Sequence, residues 1–216
     1  MKFSALLFDL DGTLIDTVPD FATAINRLRK ETGDRQLSVD EIRGGVTHGS
    51  FGLVARAYGI DSDHPDFEPL RQRLLQHYRE CQLEQSALFP LLDQSINWCE
   101  ANNTPWGIVT NKPEAYTTPL VDHLGLKPAV VICPDHVTHA KPHPEPMLLA
   151  CSKINVDPTE AIYVGDHPRD IQSGNGAGCT TVAVGWGYID GEEDIRLWQA
   201  DYACDTPADF INLLFK

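Results

Sequence analysis

Apolar residues gather in short unbroken runs along this chain. Between the runs lie longer stretches in which they recur every three or four positions. Ala5–Phe8 is one such run, too short for a helix and without the alternation of a strand facing water. It fits a strand covered on both faces, as in a parallel sheet. Trp106–Val109 and residues 129–133, 161–164 and 181–184 fit the same description. Helical periodicity fills the intervals at 91–101, 115–124, 144–154 and Pro168–Ala177. Gly125 and Gly178 close the second and last of these helices, and the last two open on a proline suited to a first turn. Strands separated by single helices imply right-handed crossovers and a parallel sheet with helices on both faces. The expected class is therefore α/β, with a Rossmann-like parallel sheet core.

The stretch 17–85 breaks this rhythm and offers no strand. Residues 21–30 are helical and end near Gly33. Ser38-Val39-Asp40-Glu41 is a capping box that opens a short helix, expected to stop at Gly44-Gly45. Residues 51–58 and 67–82 are further helical runs. An all-helical block after the first strand reads as an inserted α-helical cap domain over 17–85. The catalytic core is then 1–16 and 86–216. The same helices would also fit an extra layer packed on the core with no lid role. No internal repeat or low-complexity segment occurs.

Length, composition and charge narrow the class. The chain has 216 residues, 42% hydrophobic and 22% charged, enough for one large core with a smaller insertion. A net charge of −14 argues against nucleic acid, which needs a basic face. No apolar run approaches the ~20 residues that span a bilayer, so no membrane partner is expected. The apolar start is broken at once by Asp9 and Asp11, unlike a secretory signal, and reads as a buried strand of a cytoplasmic protein. The six cysteines form no CxxC pair and no zinc-ligand spacing, so they are expected to be reduced and structural. The expected partner is a small phosphorylated metabolite, and the expected assembly a monomer or homodimer.

The chemistry gathers at strand ends. Ala5–Phe8 runs into Asp9-Leu10-Asp11-Gly12-Thr13. Ligands of parallel sheets sit beyond the carboxyl ends of strands, and residues two apart in extended chain point the same way. Asp9 and Asp11 should therefore share one site. Two such charges need a cation or a shared proton, and hard oxygen ligands suit Mg2+. Gly12 permits the sharp turn. Taken alone, the pair would equally fit a polar turn. A second strand ends in Gly165-Asp166, with Asp170 at the start of the next helix. There it could ligate the same metal or answer the helix dipole. Val109-Thr110-Asn111 brings a hydroxyl and an amide to a third strand end, with Lys112 next. Lys141-Pro142-His143-Pro144 holds a lysine in a stiff loop, where it can neutralise a phosphate oxygen or serve as a solvated surface charge.

The order DxDGT, strand with Thr, Lys-Pro, Gly-Asp-x3-Asp resembles the haloacid dehalogenase (HAD) superfamily across the whole chain, and the helical block resembles that superfamily's cap. The resemblance implies Asp9 as nucleophile and Asp11 as general acid and base. It implies Thr110 and Lys141 as catalytic phosphoryl-binding groups, and Asp9, Asp11 (through its carbonyl), Asp166 and Asp170 around magnesium. Gly12, Thr13 and Asn111 fall in the expected substrate-binding set. His167 stands where many relatives carry a small polar residue. Within the superfamily the chain is most similar to phosphoglycolate phosphatases. It also resembles the N-acetylmuramic acid 6-phosphate phosphatases through Val109-Thr110-Asn111-Lys112-Pro113, Cys133-Pro134-Asp135-His136-Val137, Lys141-Pro142-x-Pro144-Glu145-Pro146 and Gly187-Tyr188-Ile189. In such enzymes the cap loop contributes to substrate choice. Here it would be Val46-Thr47-His48-Gly49-Ser50, with His48, Gly49 and Ser50 as substrate-binding candidates and His48 equally readable as a surface histidine.

The implied reaction is phosphoric monoester hydrolysis. Asp9 attacks phosphorus to give an aspartyl phosphate, and Asp11 protonates the leaving alkoxide and then activates water. A dehalogenase would need neither Asp11 nor the metal. A phosphosugar mutase would share nearly every motif, but commonly reads Asp-Gly-Val where this chain has Thr13. A receiver-like module would accept phosphate on an aspartate without needing so large a helical insert.

Overall fold

The computed structural model describes residues 3–189 and 194–215. Its frame is a six-stranded sheet of β1 (Ala5–Phe8), β4 (Trp106–Val109), β5 (Val130–Ile132), β6 (Ala161–Gly165), β7 (Thr180–Val184) and β8 (Tyr202–Cys204). The order is β5-β4-β1-β6-β7-β8 and every pairing is parallel. Alternate residues of β1 explain its continuous apolar run. Ala5 and Leu7 enter the cluster that holds Met147, Ala150 and Cys151 of α7 (Glu145–Lys153). Leu6 and Phe8 enter the cluster on the other face. That face is covered by α5 (Leu92–Ala101), α6 (Glu114–His123) and α9 (Pro207–Leu214). The helix α8 (Pro168–Ala177) packs beside α7 against β6 and β7.

Four helices fill the stretch between residues 17 and 86, after the first sheet strand. They are α1 (Val18–Thr32), α2 (Val39–Val46), α3 (Gly49–Tyr58) and α4 (Phe67–Cys81). The chain reaches them through β2 (Ile15–Asp16) and returns through β3 (Ala87–Leu88), and these two strands pair antiparallel. Asp20, fully buried on α1, fastens the crossing by accepting Gln85 N–H at 2.9 Å, Ser86 N–H at 3.0 Å and Ser86 Oγ–H at 2.5 Å.

The structure corrects several sequence expectations. The first helix begins at Val18 and runs to Thr32, because Pro19 occupies a first-turn position where its missing N–H costs nothing. The capping box at Ser38 forms, but α2 runs through Gly44-Gly45 to Val46. Gly45 serves helix packing and not termination. A Cβ on Gly52 of α3 would lie 2.4 Å from the Gly45 carbonyl oxygen, so the two backbones meet where any side chain would separate them. Strands β2, β3 and β8 and helix α9 are additions to the expected elements. All six cysteines are free and buried. Among the described residues no helix is long and apolar enough to cross a membrane.

Candidate active site

The sheet order turns back on itself at β1. The chain builds outward to β5 on one side, then crosses to β6 and builds outward again. The crevice beyond the carboxyl ends of β4, β1 and β6 lies at this switch point, the place where such sheets bind ligands. Asp9 continues the ladder by donating its N–H to Val164 O at 2.9 Å, and Thr110 does the same to Ile132 O at 2.9 Å. Asp166 follows directly on Gly165. Strand pairing thus sets Asp9, Thr110 and Asp166 at neighbouring strand ends. Together with Lys112, Arg71 and the loop at His48, they line a cavity of about 410 Å³.

Lys141 is the hub of the acidic side. Its Nζ donates to Asp9 Oδ1 at 2.8 Å and Asp170 Oδ1 at 2.7 Å, and lies within bonding distance of Val109 O and Tyr163 Oη. Burial opposes its charge, but Asp170 and Asp9 outweigh that and hold the ammonium above its ordinary value. Asn111 clamps the lysine's backbone, donating to Lys141 O at 3.0 Å and accepting Lys141 N–H at 3.1 Å. The amide expected to meet substrate is therefore occupied with positioning the lysine.

One carboxylate oxygen each from Asp9, Asp166 and Asp170 lies within 4.8 Å of the others. Burial pushes Asp9 up to about 6, with Lys141 opposing and Asp170 reinforcing the rise. Burial also pushes Asp166 up to about 8, and the charges of Asp9 and Asp170 add to it. Three clustered carboxylates, two of them buried, therefore have a single ammonium among them, on Asp9 and Asp170, a donor set that fits a hard divalent cation. Asp170 has both oxygens engaged, with Lys141 and with His167 N–H at 3.1 Å, which leaves Asp9 and Asp166 the freer donors.

Asp166 is held on all sides. Thr13 Oγ–H donates to its Oδ1 at 3.0 Å and Tyr188 N–H to its Oδ2 at 2.8 Å. Gly12, at φ +84°, passes so close that a Cβ would sit 2.2 Å from Asp166 Oδ2. Gly187 approaches from another direction, with a Cβ position 2.3 Å from the same oxygen. The structure thus sets Gly12 and Thr13 behind Asp166 as its support, away from the cavity wall.

Asp11 shares the cavity with Asp9 but takes a separate cation. Its carboxylate accepts Lys112 Nζ at 2.9 Å and Thr17 Oγ–H at 2.5 Å, outside the three-carboxylate group. Lys112 also donates to Tyr78 Oη at 2.8 Å and lies over the rings of Phe21 and Tyr78, which stack at 4.0 Å. Thr110 Oγ accepts Lys112 N–H at 3.1 Å. Sequence reasoning noted Lys112 only as a neighbour of Asn111 and missed this role. Tyr78 carried no sequence signal, and the Gly187-Tyr188-Ile189 resemblance gave Tyr188 no role, since the partners of both lie far along the chain.

The helical layer meets the core around the cavity rim. Thr47 Oγ–H donates to Tyr188 O, and Arg169 Nη2 donates to Thr47 O at 3.2 Å. His48, Gly49 and Ser50 all reach the cavity. His167 faces His48 at 6.2 Å between ring centroids. Burial, with Arg169 and His48 adding, pushes His167 down to about 4, so its ring is neutral at pH 7.

Known proteins resemble this chain over most of its length. A family model described as haloacid dehalogenase-like hydrolase matches residues 6–184. The chain is 40% identical over 216 residues to the N-acetylmuramic acid 6-phosphate phosphatase of Pseudomonas aeruginosa, covering 99% of this chain and 96% of that protein. It is 37% identical over 210 residues to the phosphoglycolate phosphatase of Xanthomonas campestris pv. campestris, covering 96% and 95%. Among solved structures, a predicted phosphoglycolate phosphatase from Haemophilus somnus superposes with a TM-score of 0.84 at 26% identity, covering 99% of each chain.

Proposed function

Because the chain belongs to the haloacid dehalogenase-like hydrolases, and is a phosphatase of that family, we propose that it hydrolyses a small phosphate monoester through an aspartyl phosphate on Asp9, with Mg2+ as cofactor. The observation that carries this reading is the separation of the two aspartates. Asp9 lies with Asp166, Asp170 and Lys141, whereas Asp11 lies in the same cavity on Lys112. One carboxylate is thereby available to attack and the other to move a proton.

Asp9 forms the bond to phosphorus while Asp11 gives its proton to the leaving oxygen. Asp11 then takes a proton from the water that cleaves the acyl phosphate. Lys141 balances charge on Asp9 and the phosphoryl oxygens, and the Thr110 hydroxyl adds a donor. Asp9, Asp166 and the Asp11 carbonyl would hold the magnesium, with Asp170 alongside, and the ion supplies charge neutralisation at the phosphoryl group. The helices of 17–85 act as a cap that excludes bulk water.

N-acetylmuramic acid 6-phosphate is the first substrate candidate. The 40% identity over nearly the whole chain supports it, as does a cavity of about 410 Å³, which leaves room beyond a two-carbon acid. Phosphoglycolate is the second, supported by the 37% identity to an enzyme of that name. Phosphate release from both esters, with and without magnesium, tests the reading. The wild type should turn over repeatedly, and Asp9→Asn should lose several powers of ten in rate while staying folded. A single round of labelling would mark a phospho-accepting module instead. Near-normal turnover by folded Asp9→Asn would remove Asp9 as nucleophile.

A further inference from the structure

Four cationic side chains line the cavity, and three have carboxylate partners. Lys141 is paired with Asp9 and Asp170, and Lys112 with Asp11. Arg71 is held by both oxygens of Glu68 at 2.7 and 2.8 Å. Arg169 is different. Among the described residues it enters no ion pair, and its neighbours are Thr47 O, His48 and the ring of His167.

Those neighbours do not satisfy a guanidinium. A neutral imidazole has one nitrogen that can accept, and His167 Nδ1 already accepts Arg169 N–H and Nε–H, each at 3.0 Å. Nε2 then carries hydrogen, so Arg169 Nη2, 3.0 Å away, faces a donor there. Its one fixed acceptor is Thr47 O, and Nη1 bonds to nothing among the described residues. The charge also stands in the first turn of α8, where the helix dipole favours anions and disfavours cations. An arginine kept against the dipole, unneutralised, on a cavity wall is poised for an anion that arrives with a ligand. Its contacts with Thr47 and His48 put it on the side of the cavity formed by the helical layer, where the leaving group of a phosphate ester would lie.

We propose that Arg169, with His48 beside it, binds a carboxylate on the non-phosphate part of the substrate, so that the enzyme selects phosphate monoesters that are also carboxylic acids. This rests on the phosphatase reading above and adds the class of leaving group. A guanidinium with Nη1 free can donate to a carboxylate there in a charge-assisted hydrogen bond. A site built this way discriminates strongly against analogues that lack the group, because the arginine is then left unmet.

The test uses two ester pairs that differ in the carboxylate. N-acetylmuramic acid 6-phosphate is paired with N-acetylglucosamine 6-phosphate, which lacks only the lactyl acid. Phosphoglycolate is paired with ethyl phosphate. With magnesium present, the wild type should favour the acid of at least one pair in kcat/KM. In Arg169→Met that ratio should fall by roughly ten- to a hundred-fold, chiefly through KM, and Arg169→Lys should keep part of it. A thermal melt checks that each variant is folded. A wild type without preference for either acid overturns the proposal before any variant is made. Equal loss on both members of a pair overturns it too, since that would mean Arg169 acts only through His167 or Asp170. If the wild type hydrolyses all four esters with flat ratios, the carboxylate site falls and the phosphatase stands. If it hydrolyses none of them, nor p-nitrophenyl phosphate, both fall together.

Discussion

Gly187→Ala adds one methyl group and aims it at Asp166. The backbone at Gly187 is not in the left-handed region, so alanine brings no conformational strain of its own. The new Cβ would meet Asp166 Cβ and Oδ2 at 2.3 Å, where ordinary contacts begin at 3.4 Å. Asp166 must therefore retreat by about 1 Å. Moving it stretches its bonds from Thr13 and Tyr188, which hold both carboxylate oxygens. A displacement of that size at a reacting centre costs about a hundred-fold in turnover. Disturbing the support of a metal ligand typically costs another ~10–100-fold in metal affinity. Overpacking should lower stability by ~1–3 kcal/mol, a fall of several degrees in melting temperature. Phosphate release measured across a magnesium titration reads the first two effects, and a thermal melt reads the third. Gly176→Ala is the matched control. It lies exposed inside α8, and its new Cβ would meet Pro144 at an ordinary 3.4 Å, so it should melt at or above the wild type and turn over normally. A folded Gly187→Ala enzyme with wild-type kcat and an unchanged magnesium requirement would refute the placement of Asp166 at the reacting centre.

Two further outcomes follow from the charges. Lys112→Met removes the cation that faces Asp11 and should lower kcat by at least about tenfold for every ester, since it acts on the proton donor and not on the leaving group's shape; unchanged kcat would show that Asp11 needs no partner. In the metal-free protein Asp9 and Asp166 titrate at about 6 and about 8 instead of 3.8, so between about pH 4 and pH 8 the folded state keeps protons that the unfolded chain has released. Stability in EDTA should accordingly fall as pH rises through that window, and added magnesium should restore most of it at pH 8; a melting temperature that stays flat or rises with pH in EDTA would contradict this.

Much of the core was legible because its strands are buried on both faces, which leaves apolar runs such as Ala5–Phe8 that fit little else. The ribbon of Ile15–Asp16 and Ala87–Leu88 left no such trace, since two residues have no periodicity and their partners are distant in sequence. Strand β8 reads Tyr-Ala-Cys with its first two residues exposed, too polar a setting for an apolar-run criterion. Helix α9 does carry a signal in the sequence: Thr206 and Asp209 form a capping box before its apolar face. In the site, Asp9, Asp11, Lys141 and Asp166 stood out because chemistry-bearing residues at strand ends converge. Which of the nearby residues touch substrate and which support others was not legible. Asn111 and Thr13 have the same donors either way, and only the fold turns them toward Lys141 and Asp166.

The antiparallel pairing of Ile15–Asp16 with Ala87–Leu88 also bears on how this protein can change over evolutionary time. The chain leaves the core and comes back through one doorway, so everything between is an excursion that begins and ends at the same point. Lengthening, shortening or exchanging that excursion alters only a closed loop, whose entropic cost grows slowly with its length. The sheet register and the acid residues at its edge need not shift. Selection can therefore redraw which molecules are admitted while inheriting the reaction unchanged, much as a lock is recut without rebuilding the door.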